Sequence, residues 1–178
     1  MSLFASLPTQ PEPGSTAIIS GCRRYRYTLT RTIGCAGKVV TFIMLNPSTA
    51  DAHEDDPTIR RCKGFARHFA AGKLIVVNLF AFRATKPKVL LAEKEPIGPE
   101  NNDHIRRAAE EAHDSGGMVI AAWGAHGSHM DRDKQVMALL DAWDIFPKSL
   151  AETATGMPRH PLYLPNGCQP MEYGGRGA

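Results

Sequence analysis

Apolar positions along this chain fall into two alternating patterns, short continuous runs and repeats at helical spacing. Phe42 to Leu45 form the first continuous run, part of a strand expected over residues 39–45 and buried on both faces of a sheet. Leu74-Ile75-Val76-Val77 and the segment 118–122 repeat that pattern and predict two further buried strands. Between the first two runs, Ile59, Cys62, Phe65, Ala66 and Phe69 recur at helical spacing behind Asp56-Pro57, an N-cap followed by Pro at the first helical position. Gly72 reads as the close of that helix. Ile105, Ala108, Ala109 and Ala112 predict a second helix, capped by Asn101 or Asn102 and ending near His113 before Ser115-Gly116-Gly117. Val136, Leu139, Leu140 and Trp143 predict a third, from about Arg132. Residues 149–153 have the composition of a short fourth strand, and residues 86–99 that of a long surface loop.

Strands alternating with helices predict an α/β fold. The expected form is a three-layer α/β/α sandwich with a central, mainly parallel sheet of four to five strands. Residues 1–20, rich in Pro, Ser, Thr and Gly, read as a peripheral arm, residues 21–166 as one domain and residues 167–178 as a flexible tail. Residues 25–30 also have strand composition, interleaved with Arg23, Arg24, Arg26 and Arg31. Such a strand either contacts phosphates and bases or is a solvated sheet edge protected by charge, and the solvated edge is the expectation.

Each buried strand ends in polar residues. The first stops at Asn46-Pro47-Ser48-Thr49, because Pro47 has no N–H with which to continue a ladder. The second stops at Asn78, whose side chain offers the donor and acceptor needed to read a base edge. The third runs into Trp123-Gly124-Ala125-His126-Gly127, where the glycines permit close approach of backbone to a ligand. In a mainly parallel sheet these tips emerge at the carboxyl edge, where open α/β sheets bind ligands. His160, bracketed by Pro158 and Pro161, joins them as a candidate site residue. A buried Asn satisfying loop backbone and a strand followed by an Asx turn are the structural alternatives.

Composition narrows the picture only slightly. A net charge of +3 permits a polyanionic partner without demanding one. The absence of an apolar run near the roughly 20 residues of a membrane span, and of a signal pattern, makes a cytoplasmic protein without a membrane partner the expectation. Cys22, Cys35, Cys62 and Cys168 lack the close spacing of zinc or iron–sulfur ligands, so they read as buried small apolar residues and no cluster is expected. The dense run Asp51, His53, Glu54, Asp55 and Asp56 allows a metal-dependent hydrolase, although helix capping is the preferred account of Asp55 and Asp56. Neither a Gly-rich phosphate loop nor a Gly-x-Ser-x-Gly elbow is present, and no cofactor is expected.

Taken in order, residues 45–51, 78–81, 122–124 and 160–163 resemble the domain-of-unknown-function family 1643 and, more remotely, the uracil-DNA glycosylase superfamily. The superfamily resemblance implies a base-excising N-glycosidase acting on a modified or mismatched base in DNA or a related nucleotide. It also implies roles: Asn46 orients water, Asn78 reads the extruded base, and His160 stabilises the departing base anion. It makes Leu164 or Tyr163 a wedge filling the vacated stack. Pro47, Ser48, Asp51, Phe80, Arg83, Trp123 and Gly124 complete the expected binding set, with Ser48 standing where many uracil enzymes carry a Tyr that excludes thymine. A non-catalytic reader of flipped bases is the alternative, because an amide does not titrate and Asn46 needs help from Asp51, Asp55 or Asp56 to activate water. The oligomeric state is left open.

Overall fold

The structure is a computed structural model that describes residues 13–174. Its seven strands are β1 (Thr16–Ile19), β2 (Arg26–Thr32), β3 (Val39–Met44), β4 (Lys73–Asn78), β5 (Met118–Ala121), β6 (Lys148–Ser149) and β7 (Met171–Glu172). The helices are α1 (Pro57–His68), α2 (Pro87–Ala92), α3 (Asn101–Asp114) and α4 (Arg132–Ala142). All strands form one sheet in the order β1-β2-β4-β3-β5-β6-β7.

The sheet is larger and less parallel than its sequence suggests. β4, β3, β5 and β6 run parallel, but β1 and β2 on one side and β7 on the other join antiparallel. β1 lies inside the stretch read as a peripheral arm and β7 inside the stretch read as a flexible tail; the first twelve residues and residues 175–178 lie outside the described residues. β2 is no solvated edge either. It sits between β1 and β4, with Arg26 and Arg31 each 2% exposed.

Period-two alternation sorts the central strands into two cores. Val39, Ile43, Ile75, Val77, Val119 and Ala121 meet Ile105, Ala109 and Ala112 of α3 and Val136 and Leu140 of α4 on one face. Val40, Phe42, Met44, Leu74, Val76 and Ile120 meet Ile59, Cys62, Phe65 and Ala66 of α1 on the other. Helices therefore cover both faces, which is why these strands are apolar throughout rather than alternating. The segments leaving β3 and β5 depart to opposite faces, and the gap between them opens at the carboxyl edge of the sheet.

Several local expectations change. Asp56 is the N-cap of α1, its Oδ1 accepting from the Ile59 N–H at 2.8 Å. Ala70, not Gly72, takes the left-handed conformation beyond the helix, with φ of 53°. Residues 86–99 are not wholly loop, since α2 buries Leu90 there. Glu100 occupies the N-cap of α3, while Asn101 is buried and reaches into the sheet. A 3-10 segment (Ala125–Asp131) precedes α4. Only Cys62 of the four thiols is buried, and burial pushes its titration far up; Cys22 and Cys35 are exposed.

Candidate functional site

A cleft of about 490 Å³ opens where the central strands end. Asn46 and Ser48 line it from the segment after β3, Asn78 from the end of β4, Trp123 and Gly124 from the segment after β5, and His160 and Tyr163 from the proline-bracketed loop. These elements are distant in sequence and meet because parallel strands deliver their carboxyl ends to one edge.

Asn46 is a staple as well as a lining residue. Its Nδ2 donates to the Ala84 carbonyl at 2.8 Å and the Pro47 carbonyl at 3.0 Å, tying the segment after β3 to the one after β4. Both amide hydrogens are thereby engaged, and Oδ1 is left to accept. Asn78 is the reverse. It is 1% exposed, and its Nδ2 is buried without a partner among the described residues. A buried donor costs free energy unless an acceptor meets it.

Asn101 fixes the backbone on which Asn78 stands. Its Nδ2 donates to the carbonyls of Asn78 at 2.9 Å and Leu79 at 3.0 Å, and the Nε of buried Arg132 donates to Leu79 at 2.9 Å. Nothing in the local sequence marks Asn101 or Arg132 for that task; both read as features of helix starts.

The His160 loop is held from two sides. Gly124 N–H donates to the Pro158 carbonyl at 2.8 Å, with Gly124 at φ of 73°, a conformation that favours glycine. Arg61 of α1 donates to the carbonyls of Pro161 and Leu164. His160 Nδ1 accepts from the Leu162 N–H, so the neutral ring carries its proton on Nε2. Burial lowers the histidine's pKa, while the charge of Asp56 works in the opposite direction.

Other expected residues lie elsewhere. Phe80 is buried in the α3–α4 core with its ring against His129, and Leu164 is 5% exposed in the α1 core, so neither is part of the cleft lining. The exposed apolar tips of this loop are Leu162 and Tyr163, at 40% and 72%. Pro47 and Arg83 fall outside the lining, as does Asp51, whose Oδ1 accepts from the His53 and Glu54 N–H groups in a turn. Gly127 makes its close approach to the Trp123 ring, where any Cβ would collide, and not to the cleft.

The acidic run has structural duties. Asp55 is not a cap; it pairs with Arg31 at 2.8 Å and Lys63 at 2.9 Å. Burial opposes its charge, yet those two partners hold its carboxyl below the usual range. Among the described residues no three His, Cys, Asp or Glu side chains are grouped to hold a metal ion. Asp56 is, among the described residues, the one carboxylate on the cleft lining. Arg26, read as part of a solvated edge, lines the cleft too.

Fold and site together define a mixed α/β protein with a ligand-sized cleft at the carboxyl edge of its parallel strands. The chain belongs to the DUF1643 family of proteins of unknown function, whose family model matches residues 26–162 and so covers the cleft lining apart from Tyr163. No curated protein and no solved structure matches the chain. Among the described residues no helix is long and apolar enough to cross a membrane.

Proposed function

We propose that this chain is a base-excising N-glycosidase acting on a modified or mismatched base in DNA or a related nucleotide. The observation that carries the reading is that Asn46, Asn78 and His160 line one cleft, with the Asn78 amide donor buried and, among the described residues, unpartnered. A volume of about 490 Å³ suits one nucleotide unit, which supports a base turned out of its stack and not a duplex held whole.

The chemistry follows from the side chains. Asn78 donates to an acceptor on the base edge. Asn46 Oδ1 accepts from the attacking water and orients it, and Asp56 takes the proton that the amide cannot. The water oxygen bonds to the sugar anomeric carbon as the carbon–nitrogen bond breaks, and that bond's electron pair leaves with the base. His160 donates from Nε2–H to the base anion, where loss of one such donor typically costs about 3–4 kcal/mol. Leu162 and Tyr163 are the exposed side chains able to fill a vacated stack.

The test is base release from a panel of modified-base oligonucleotides and nucleotides. Asn46→Ala and His160→Ala should each abolish release while the protein stays folded. Full activity in both variants overturns the mechanism. One observation favours a second reading, a non-catalytic binder of flipped bases: the Asn46 amide hydrogens are already held by backbone carbonyls. Tight, salt-sensitive binding of damaged DNA with no product would select that reading.

A further inference from the structure

Arg26 is the most deeply buried charged group on the cleft lining, at 2% exposure. Its Nη1 donates to the Ala50 carbonyl, which anchors the segment after β3. That is the one hydrogen bond its guanidinium makes among the described residues, and Nε is buried without a partner. It forms no ion pair among them either. Asp56 and Asp51 act on it from further away, and Arg83 and Arg31 act in the opposite sense. Burial lowers its pKa to about 10, which leaves it charged at neutral pH.

A buried cation with no carboxylate against it is unfavourable unless something of opposite charge is bound. The unused part of this guanidinium is the edge formed by Nε and Nη2, the side that meets two oxygens of one oxyanion. The hydroxyls of Ser48, Thr58 and Thr85 line the same cleft and can donate to further oxygens.

We infer that Arg26 is the phosphate-binding residue of the cleft, so that the ligand is a phosphorylated nucleotide unit and not a free nucleoside or base. The base end of this ligand rests on the N-glycosidase reading; the phosphate end rests on Arg26 alone. The phosphate belongs either to a mononucleotide or to the backbone of a single strand, and both present the same oxyanion.

The experiment is calorimetric titration of the full chain with inorganic phosphate, with thymidine and 2′-deoxyuridine, with their 5′-monophosphates, and with a short single-stranded oligonucleotide containing them. A phosphorylated form should bind at least about ten-fold tighter than its nucleoside, with inorganic phosphate competing. Advantage in the monophosphate identifies a terminal phosphate, and advantage in the oligonucleotide alone identifies a backbone diester. Arg26→Gln should erase the advantage and Arg26→Lys should keep part of it, because Lys retains charge without the fork. Equal binding of nucleoside and nucleotide by the wild type, or no binding of any probe, overturns the inference, and this comparison stands even where Arg26→Gln does not fold. A folded Arg26→Gln that keeps the full advantage overturns it as well. Arg26-dependent nucleotide binding without base release would remove the glycosidase reading and leave the phosphate site; base release without a phosphate advantage would do the reverse.

Discussion

The His160 ring accepts a hydrogen bond from the Leu162 backbone N–H, with 3.3 Å between Nδ1 and that nitrogen. A backbone N–H can only donate, so Nδ1 is unprotonated and Nε2 bears the proton. Side chain and loop thus select the tautomer whose donor is Nε2–H.

His160 should titrate below its ordinary value of 6.5, because burial disfavours the imidazolium more than Asp56 favours it. The unfolded chain then binds more protons than the folded one between the depressed pKa and 6.5. This contribution to stability is present above 6.5 and falls as pH drops through that window. Ring proton shifts followed by NMR should show a midpoint under 6.5; a midpoint at or above it would contradict the burial argument. His160→Asn keeps an acceptor near Nδ1 but removes the Nε2 donor. It should flatten the acid dependence and lower base release by about 100- to 1000-fold.

Asn78 and Asn101 should separate binding from stability. Asn101→Ala leaves the carbonyls of Asn78 and Leu79 without its two donors and should cost about 1–3 kcal/mol in chemical denaturation. Asn78→Ala removes a donor that has no partner, so its cost should be about 1 kcal/mol or less while ligand affinity collapses. Similar stability losses in the two variants would show that Asn78 is a structural amide.

Asp56 caps α1, and in the proposed mechanism it also accepts a proton; one substitution divides the two. Asp56→Asn retains an oxygen for the Ile59 N–H and should keep α1 capped, yet removes the charge that accepts a proton from water. Base release should fall by about 100-fold or more with melting temperature nearly unchanged. Asp56→Ala should also lose about 1 kcal/mol of stability through the lost cap. An active Asp56→Asn variant would leave the carboxylate with capping alone.

Of the two side chains expected as the wedge, Leu164 is buried and Tyr163 is exposed, with Leu162 exposed beside it. Leu164→Ala should destabilise by about 2–5 kcal/mol, since the side chain is buried against α1. Tyr163→Ala and Leu162→Ala should leave melting temperature nearly unchanged and weaken binding of a strand with an unstacked base. Strand-opening fluorescence of a base analogue measures the difference directly. Loss of opening in Leu164→Ala at unchanged stability would reverse the assignment.

Local patterns made the inner frame legible. Continuous apolar runs located β3, β4 and β5 because each is covered on both faces, and helical spacing located α1, α3 and α4 because each buries one stripe. Asp56-Pro57 marked the start of α1 through chemistry confined to one turn. The sheet edges were not legible in this way. Thr16–Ile19 and Met171–Glu172 are strands by virtue of their partners, Arg26–Thr32 and Lys148–Ser149, and carry little apolar pattern of their own.

The sequence by itself determined which strand ends carry polar groups, and that parallel strands would bring Asn46, Asn78 and Trp123 to a common edge. Only the tertiary structure decided how those groups are used. It engages the Asn46 amide on Ala84 and leaves Asn78 Nδ2 without a partner among the described residues; it buries Leu164 and exposes Tyr163. Arg31 is matched to Asp55, while Arg26 has no ion pair among the described residues. The reason is physical: burial and hydrogen-bond satisfaction depend on neighbours supplied by chain tens of residues away, whereas the order of residues along one strand or helix encodes only that element's own faces.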